Sequence, residues 1–549
     1  MGTVASNSCC EADKGTNEEF CVPRTHCFDA DADDSAAISP NLSPGVGHMW
    51  SESSMQVGHK RSSVLTPDLE IMRGISLSST LSSGGHLWRY SPKKFSTEQR
   101  MALYSKSKPV EKLDIFISHT WWTPGWQKAA ALYLQTAWPT LLVSWLLAIS
   151  VAFVLSVTRI LPMPFIYEAN LVGFTALCPF GCWILCFGIF LPLLLSAVLL
   201  HLNCHRSPLC FVDVACIHQE DSHLMRRGVQ GIGGFLAASR ELRVLWSPPY
   251  LSRLWCVFEL AAFSKANSSG QIVLAPLFVE TSVWCLWGFL CVSNVLFWFA
   301  RSGRGGASIL AYFIVLVVIG PATHGLRKSY LSKQRLLEDL KKFDLDEVKC
   351  YSEADREFIH SAITDWYGSS EAFTSYVRGP LKRKMLEPIL HTQLPLPYLL
   401  FLLTPTFSIS FETFLALWMG RAPVESLVAW AVGMMLGNNL LWLPLFMVLW
   451  IYLCDQFAQP RWPGRCWDVL QTGAVMAVCF LFAAFVSLGS NFSVAYGPVA
   501  AICWASSGVA AVLGVLITRP LRFRRRKNAF LVMEAKVPDT EIAEMESNA

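Results

Sequence analysis

Glu259 is the side chain best placed by its neighbours to do chemistry. It stands in the stretch Trp255-Cys256-Val257-Phe258-Glu259-Leu260, which reads as the opening of a helix with Ser252 as its cap. A carboxylate held against developing positive charge stabilises it, as carboxylates do in glycoside hydrolysis. The plainer role is that of an acid in the first helical turn, favoured by the helix dipole. Ser118 and His119 end one short apolar run, and Asp213 ends a second. The carboxyl ends of strands are where open α/β sheets bind ligands. His119 is a candidate base by that location alone, and Trp121 and Trp122 beside it would equally set it against a membrane.

Other reactive types are less well organised. No CxxC pair occurs among the 18 cysteines, and seven of them (Cys178, Cys182, Cys186, Cys285, Cys291, Cys479, Cys503) fall inside apolar blocks, where thiols act as small hydrophobes. His201, Cys204, His205 and Cys210 form a loose cluster whose spacing matches no standard zinc site, so no metal is assigned. Glu412 and the pair Asn438-Asn439 are the conspicuous polar groups inside apolar blocks. An acid there is a functional candidate by default, although Glu412 is close enough to Trp418 to snorkel, and paired Asn residues commonly join helices.

The elements that must position these groups follow from composition. Hydrophobic residues make up 53% and charged residues 16%, an imbalance too large for one soluble core. The excess lies in blocks at about 134–158, 171–201, 281–300, 307–325, 396–418, 427–452, 467–489 and 496–518. About 20 helical residues cross ~30 Å of hydrocarbon, so the chain reads as a polytopic α-helical membrane protein of about eight spans. The blocks pair into hairpins at 134–201, 281–325, 396–452 and 467–518. Their short connectors hold only Arg159, Arg301, Arg304 and Arg421, whereas the opposite stretches are rich in Lys and Arg, including Arg522–Lys527. The positive-inside rule then puts both termini in the cytosol. A net charge of +4 is too small to argue for nucleic acid.

Residues 1–108, rich in Ser, Gly, Asp and Thr, show no helical or strand period and are expected to form a disordered cytosolic tail; Met1–Ser6 fits a myristoylation pattern. Residues 519–549 are expected to form a basic cytosolic tail. Between the hairpins lie 109–132, 203–280 and 326–395. Leu113–His119, Cys210–Asp213, Leu242–Ser247 and Gln271–Val279 read as buried parallel strands, with a helix from about Val229 to Ser239. Such alternation gives a parallel sheet.

These stretches resemble TIR domains. DIFISH at 114–119 is similar to their first box, and FVD at 211–213, Gly228 and the helix after it to their second strand, loop and helix. LWSPPYLSRLWCVFEL at 245–260 is similar to their most diagnostic segment. The resemblance implies a flavodoxin-like α/β domain built from discontinuous segments: 109–132, then 203–280 as its main part, with 326–395 possible as its completion. It departs from ordinary TIR domains in the membrane hairpin between Trp126 and Cys210; loop closure of that length adds little entropy. TIR enzymes that cleave NAD use a glutamate where Glu259 stands, with Trp255 lining the pocket and Ser118, His119 and Asp213 at the ligand-binding strand ends. TIR adaptors share the motif without the activity. The resemblance therefore implies membrane-anchored signalling through self-association or association with other TIR domains. NAD is then a possible substrate, and no cofactor is required. A transporter or channel with a regulatory TIR-like domain, and a scaffold with an inactive one, are the alternatives.

Overall fold

The computed structural model describes residues 64–89, 94–171, 173–202, 207–267, 269–302, 307–350, 352–386 and 394–534, with the backbone alone for 89, 307–318 and 519–534. The lipidation pattern, the first 63 residues of the expected tail, Cys204, His205 and residues 535–549 lie outside them.

Six strands form one sheet in the order β2-β1-β6-β3-β7-β8. They are β1 (Arg73–Ser76), β2 (Lys108–Pro109), β3 (Leu113–Ser118), β6 (Leu209–Phe211), β7 (Ser239–Trp246) and β8 (Gln271–Pro276). β3 runs parallel to β6, with Phe116 opposite Phe211, and parallel to β7, with Ser118 opposite Val244. β7 runs parallel to β8. Numbered among themselves, the four parallel strands lie in the order 2-1-3-4. Ile115, Phe116, Ile117, Phe211, Val244 and Leu245 are all buried, as a sheet covered on both faces requires. Among the helices that cover it are α6 (Ser222–Gln230), α7 (Ile232–Ala237) and α8 (Leu254–Ala266). The helix expected at Val229–Ser239 is thus two short helices, and Ser239 already belongs to β7.

Residues 64–108 correct the expectation of a tail without a core. β1 pairs antiparallel with β2 and β6, and α1 (Leu77–Arg89) and α2 (Thr97–Lys106) follow. Met72, Ile75, Leu77, Leu87 and Trp88 are buried in the same core as the parallel strands. The pieces are too short to show a period. α1 is also broken, with non-helical residues Ser82–Gly85, where Gly84 and Gly85 take positive φ. The Leu113 side chain packs so tightly on β1 that a Cβ on Gly74 would meet its Cδ2 at 2.8 Å.

Seven helices among the described residues are long and apolar enough to cross a membrane: α3 (Gly125–Val157), α4 (Trp183–Leu202), α9 (Leu277–Arg301), Leu396–Met419, Val424–Gln456, Arg465–Ala495 and Pro498–Thr518. This is the architecture of an integral membrane protein. The expected span at 307–325 opens the 36-residue helix α10 (Ala307–Lys342), whose first side chains are outside the description. The last helix continues as backbone to Glu534, through much of the expected basic tail.

The span expected at 171–201 starts about a dozen residues later. The block begins in a β-hairpin, β4 (Phe165–Leu171) with β5 (Phe174–Phe180), turned at Gly173 with φ +66°, and α4 starts only at Trp183. An apolar run does not separate strand from helix by periodicity alone. The segment Leu345–Cys350 adds no strand to the sheet and makes a single bridge, Lys349 with Arg253. The helical part of 326–395 does join the sheet's core, through Leu336 and Leu340 of α10, Phe343 just after that helix, and Ile359 and Ile363 of α11 (Glu353–Tyr367).

Candidate functional site

Ser118 ends the central strand β3 and is fully buried. Its hydroxyl donates to Glu259 Oε2 and lies 2.5 Å from the Tyr250 hydroxyl. Tyr250 comes from the turn after β7, where Pro248 and Pro249 end the strand, and it too is fully buried. Glu259 is the sixth residue of α8, in its second turn, so the dipole of the first turn does not explain it. Nor does Ser252 cap that helix. Its hydroxyl donates to Pro249 O at 2.8 Å, while Lys349 O accepts from Leu254 N at 3.2 Å and so satisfies an amide of the first turn.

Burial pushes Glu259 up to about 8; the Ser118 hydrogen bond opposes that shift and the Asp213 charge adds to it. At neutral pH the carboxyl is therefore mostly protonated. Its side chain is partly exposed, and among the described residues Oε1 accepts no hydrogen bond. The group can give up a proton or, above its pKa, present an anion to a ligand at the strand ends.

Asp213, just past β6, accepts from the Trp121 indole at 2.8 Å and from Val214 N at 2.7 Å. Burial raises its pKa, and these bonds with the charge of Lys128 pull it down. His119 keeps different company. Its ring stands edge-on to Trp88 at 5.3 Å and Trp121 at 4.6 Å, and Nε2 is buried without a partner. Burial, with Lys128 close by, drives its pKa well below the ordinary histidine value, so the ring is neutral. Its hydrogen bonds do not reach Glu259. Trp255 turns to α11, where its indole donates to Asp355 Oδ2 at 3.2 Å, and its ring packs on Phe258 at 5.5 Å. Of the five sequence candidates, Ser118 and Glu259 meet directly and Asp213 acts on them through its charge. His119 and Trp255 belong to neighbouring packing.

Sequence reasoning passed over three groups here besides Tyr250. Thr123 and Ser247 hydroxyls lie 2.5 Å apart and tie the loop after β3 to the end of β7. Lys128 is 1% exposed; its Nζ donates to Thr120 O at 3.1 Å and sits 4.4 Å over the Trp121 ring. The available signal was a lysine at the head of an apolar helix, which must find partners when buried.

The polar groups of the bundle have structural partners. Glu412 is fully buried, not snorkelling: Oε2 accepts from Ile184 N at 2.7 Å and Leu185 N at 3.2 Å, capping the first turn of α4. Asn439 donates to Ser410 Oγ at 2.8 Å across two helices. Cys210, from the loose His/Cys cluster, is buried in β6 with its thiol 3.2 Å from Ile75 O. Compared with protein families, curated proteins and solved structures, the chain matches none.

Proposed function

We propose that this is a membrane-anchored signalling protein whose TIR-like domain acts by assembling with a second copy or with another TIR-like domain. The observation that carries the reading is the meeting of Ser118 and Glu259, 141 positions apart, across an inserted membrane hairpin. The first and last motif boxes thus share one sheet end. The 2-1-3-4 order of the parallel strands supports it, being the start of the flavodoxin-like order. Both termini and the sheet then face the cytosol, in accord with the Lys and Arg distribution. The test is self-association of the full chain in lipid nanodiscs, counted by photobleaching steps. Assembly should be lost in Ile117→Asp, which disrupts the sheet and leaves the spans inserted. Unchanged association would remove the reading.

A second reading, NAD cleavage, is favoured by the partly exposed carboxyl of Glu259 at the strand ends. Stabilising an oxocarbenium-like centre needs the anion, so nicotinamide release by the purified protein should rise as pH climbs through about 8. Glu259→Ala should abolish it. Equal release by the variant, or none from either protein, rules this activity out.

A further inference from the structure

On the same end of the bundle as the sheet, a cleft of about 270 Å³ opens between the helices Val424–Gln456 and Arg465–Ala495. One wall is a row four residues apart, Leu470, Ala474 and Val478, and Phe457 faces it. That row runs about 12 Å along its helix at 1.5 Å per residue, the scale of an acyl-chain segment. Trp462 and Trp467, half-exposed with rings 5.3 Å apart, stand at its mouth in the manner of interfacial aromatics.

The mouth carries uncompensated positive charge. The guanidinium of Arg461, which lines the cleft, lies 5.0 Å over the Phe457 ring, and among the described residues neither Arg461 nor Arg465, four positions further along the chain, has an acidic partner. The nearest acids are already held: Asp468 by Arg327 and Lys328, and Asp455 by Lys333. The loop is also rigidly set. Phe457 O accepts from Arg327 Nε at 2.7 Å and Gln471 Nε2 at 2.9 Å, and Arg461 N donates to Gln471 Oε1 at 3.0 Å.

We infer that this cleft is a binding site for an anionic phospholipid, its acyl chain against Leu470, Ala474 and Val478 and its phosphate at Arg461, in a turn that Arg465 makes more basic. The inference does not depend on the TIR-like reading.

Native mass spectrometry of the full chain in detergent, titrated with phosphatidylserine or phosphatidylcholine, tests it. The wild type should retain the anionic lipid roughly fivefold or more over the zwitterionic one, given the pull of each basic side chain near a charged headgroup. Arg461→Ala with Arg465→Ala should erase that preference, and Ala474→Trp should lower retention of both lipids, with melting temperatures unchanged in each. Equal retention by the wild type, or a preference that survives the paired arginine change, overturns the proposal. So does displacement of the lipid by millimolar inorganic phosphate, which would make this a free-anion site.

Discussion

Glu259 and Ser118 define the account at the residue scale. The folded-state pKa of Glu259, about 8, stands above the ordinary carboxyl value, so the folded protein keeps a proton that the unfolded chain gives up. Stability from the neutral form is complete below about pH 4.5 and declines as pH rises towards 8. Glu259→Gln keeps the shape without the titration. Thermal melts from pH 5 to 8.5 should show wild type losing ground steadily to Glu259→Gln; parallel curves would mean that the carboxyl is not held neutral. Ser118→Ala removes the hydroxyl that Glu259 and Tyr250 share. Leaving buried polar groups unpaired should cost about 1–3 kcal/mol, read as a lowered melting temperature. A silent substitution would show the cluster to be loosely hydrated.

At the scale of elements, β3 is the keystone, paired on both edges. Ile117→Asp would bury a charge there and should cost several kcal/mol, enough to unfold a domain of ordinary stability. Limited proteolysis should then cut within 205–280 while the spans stay inserted, because their backbone hydrogen bonds are internal. Trp88→Ala addresses the segment that sequence reading left out. Trp88 is 1% exposed, and its loss should cost about 3–5 kcal/mol. Stability equal to wild type would return 64–108 to the status of a tail. What was legible and what was not divides along the same lines. β3, β6 and β7 are apolar runs ending in polar groups, and most spans are long enough to speak for themselves. β1 has four residues and α1 breaks at Ser82–Gly85, so neither has a period to read. The β4–β5 hairpin hides in an apolar block that a helix would share. At the site, Glu259 was visible through its motif, whereas Tyr250, Thr123 and Ser247 are ordinary turn residues that matter only once distant strand ends converge.

The whole molecule joins sheet to membrane without a flexible linker. β8 passes directly into α9 at Pro276–Leu277. α10 gives Leu326 and Tyr330 to the core of the bundle and Leu336 and Leu340 to the core of the sheet. Arg327, fully buried on that helix, donates to Phe457 O, Asp468 O and Thr472 Oγ1. Arg327→Ala should destabilise by about 3–5 kcal/mol, as expected on breaking a buried ion pair, and lower the melting temperature of sheet and bundle together. The central claim is that pieces on either side of the first membrane hairpin build one sheet. Asp114 and Arg240, 126 positions apart, meet near the amino ends of the neighbouring strands β3 and β7 with a partly exposed ion pair of 2.7 Å. Asp114→Cys with Arg240→Cys, oxidised in intact membranes and cleaved by protease within 203–238, measures this directly. The account predicts fragments held together until reduction in the double variant and freely separating in each single variant. Fragments that separate without reductant, or links formed only between copies, would contradict it.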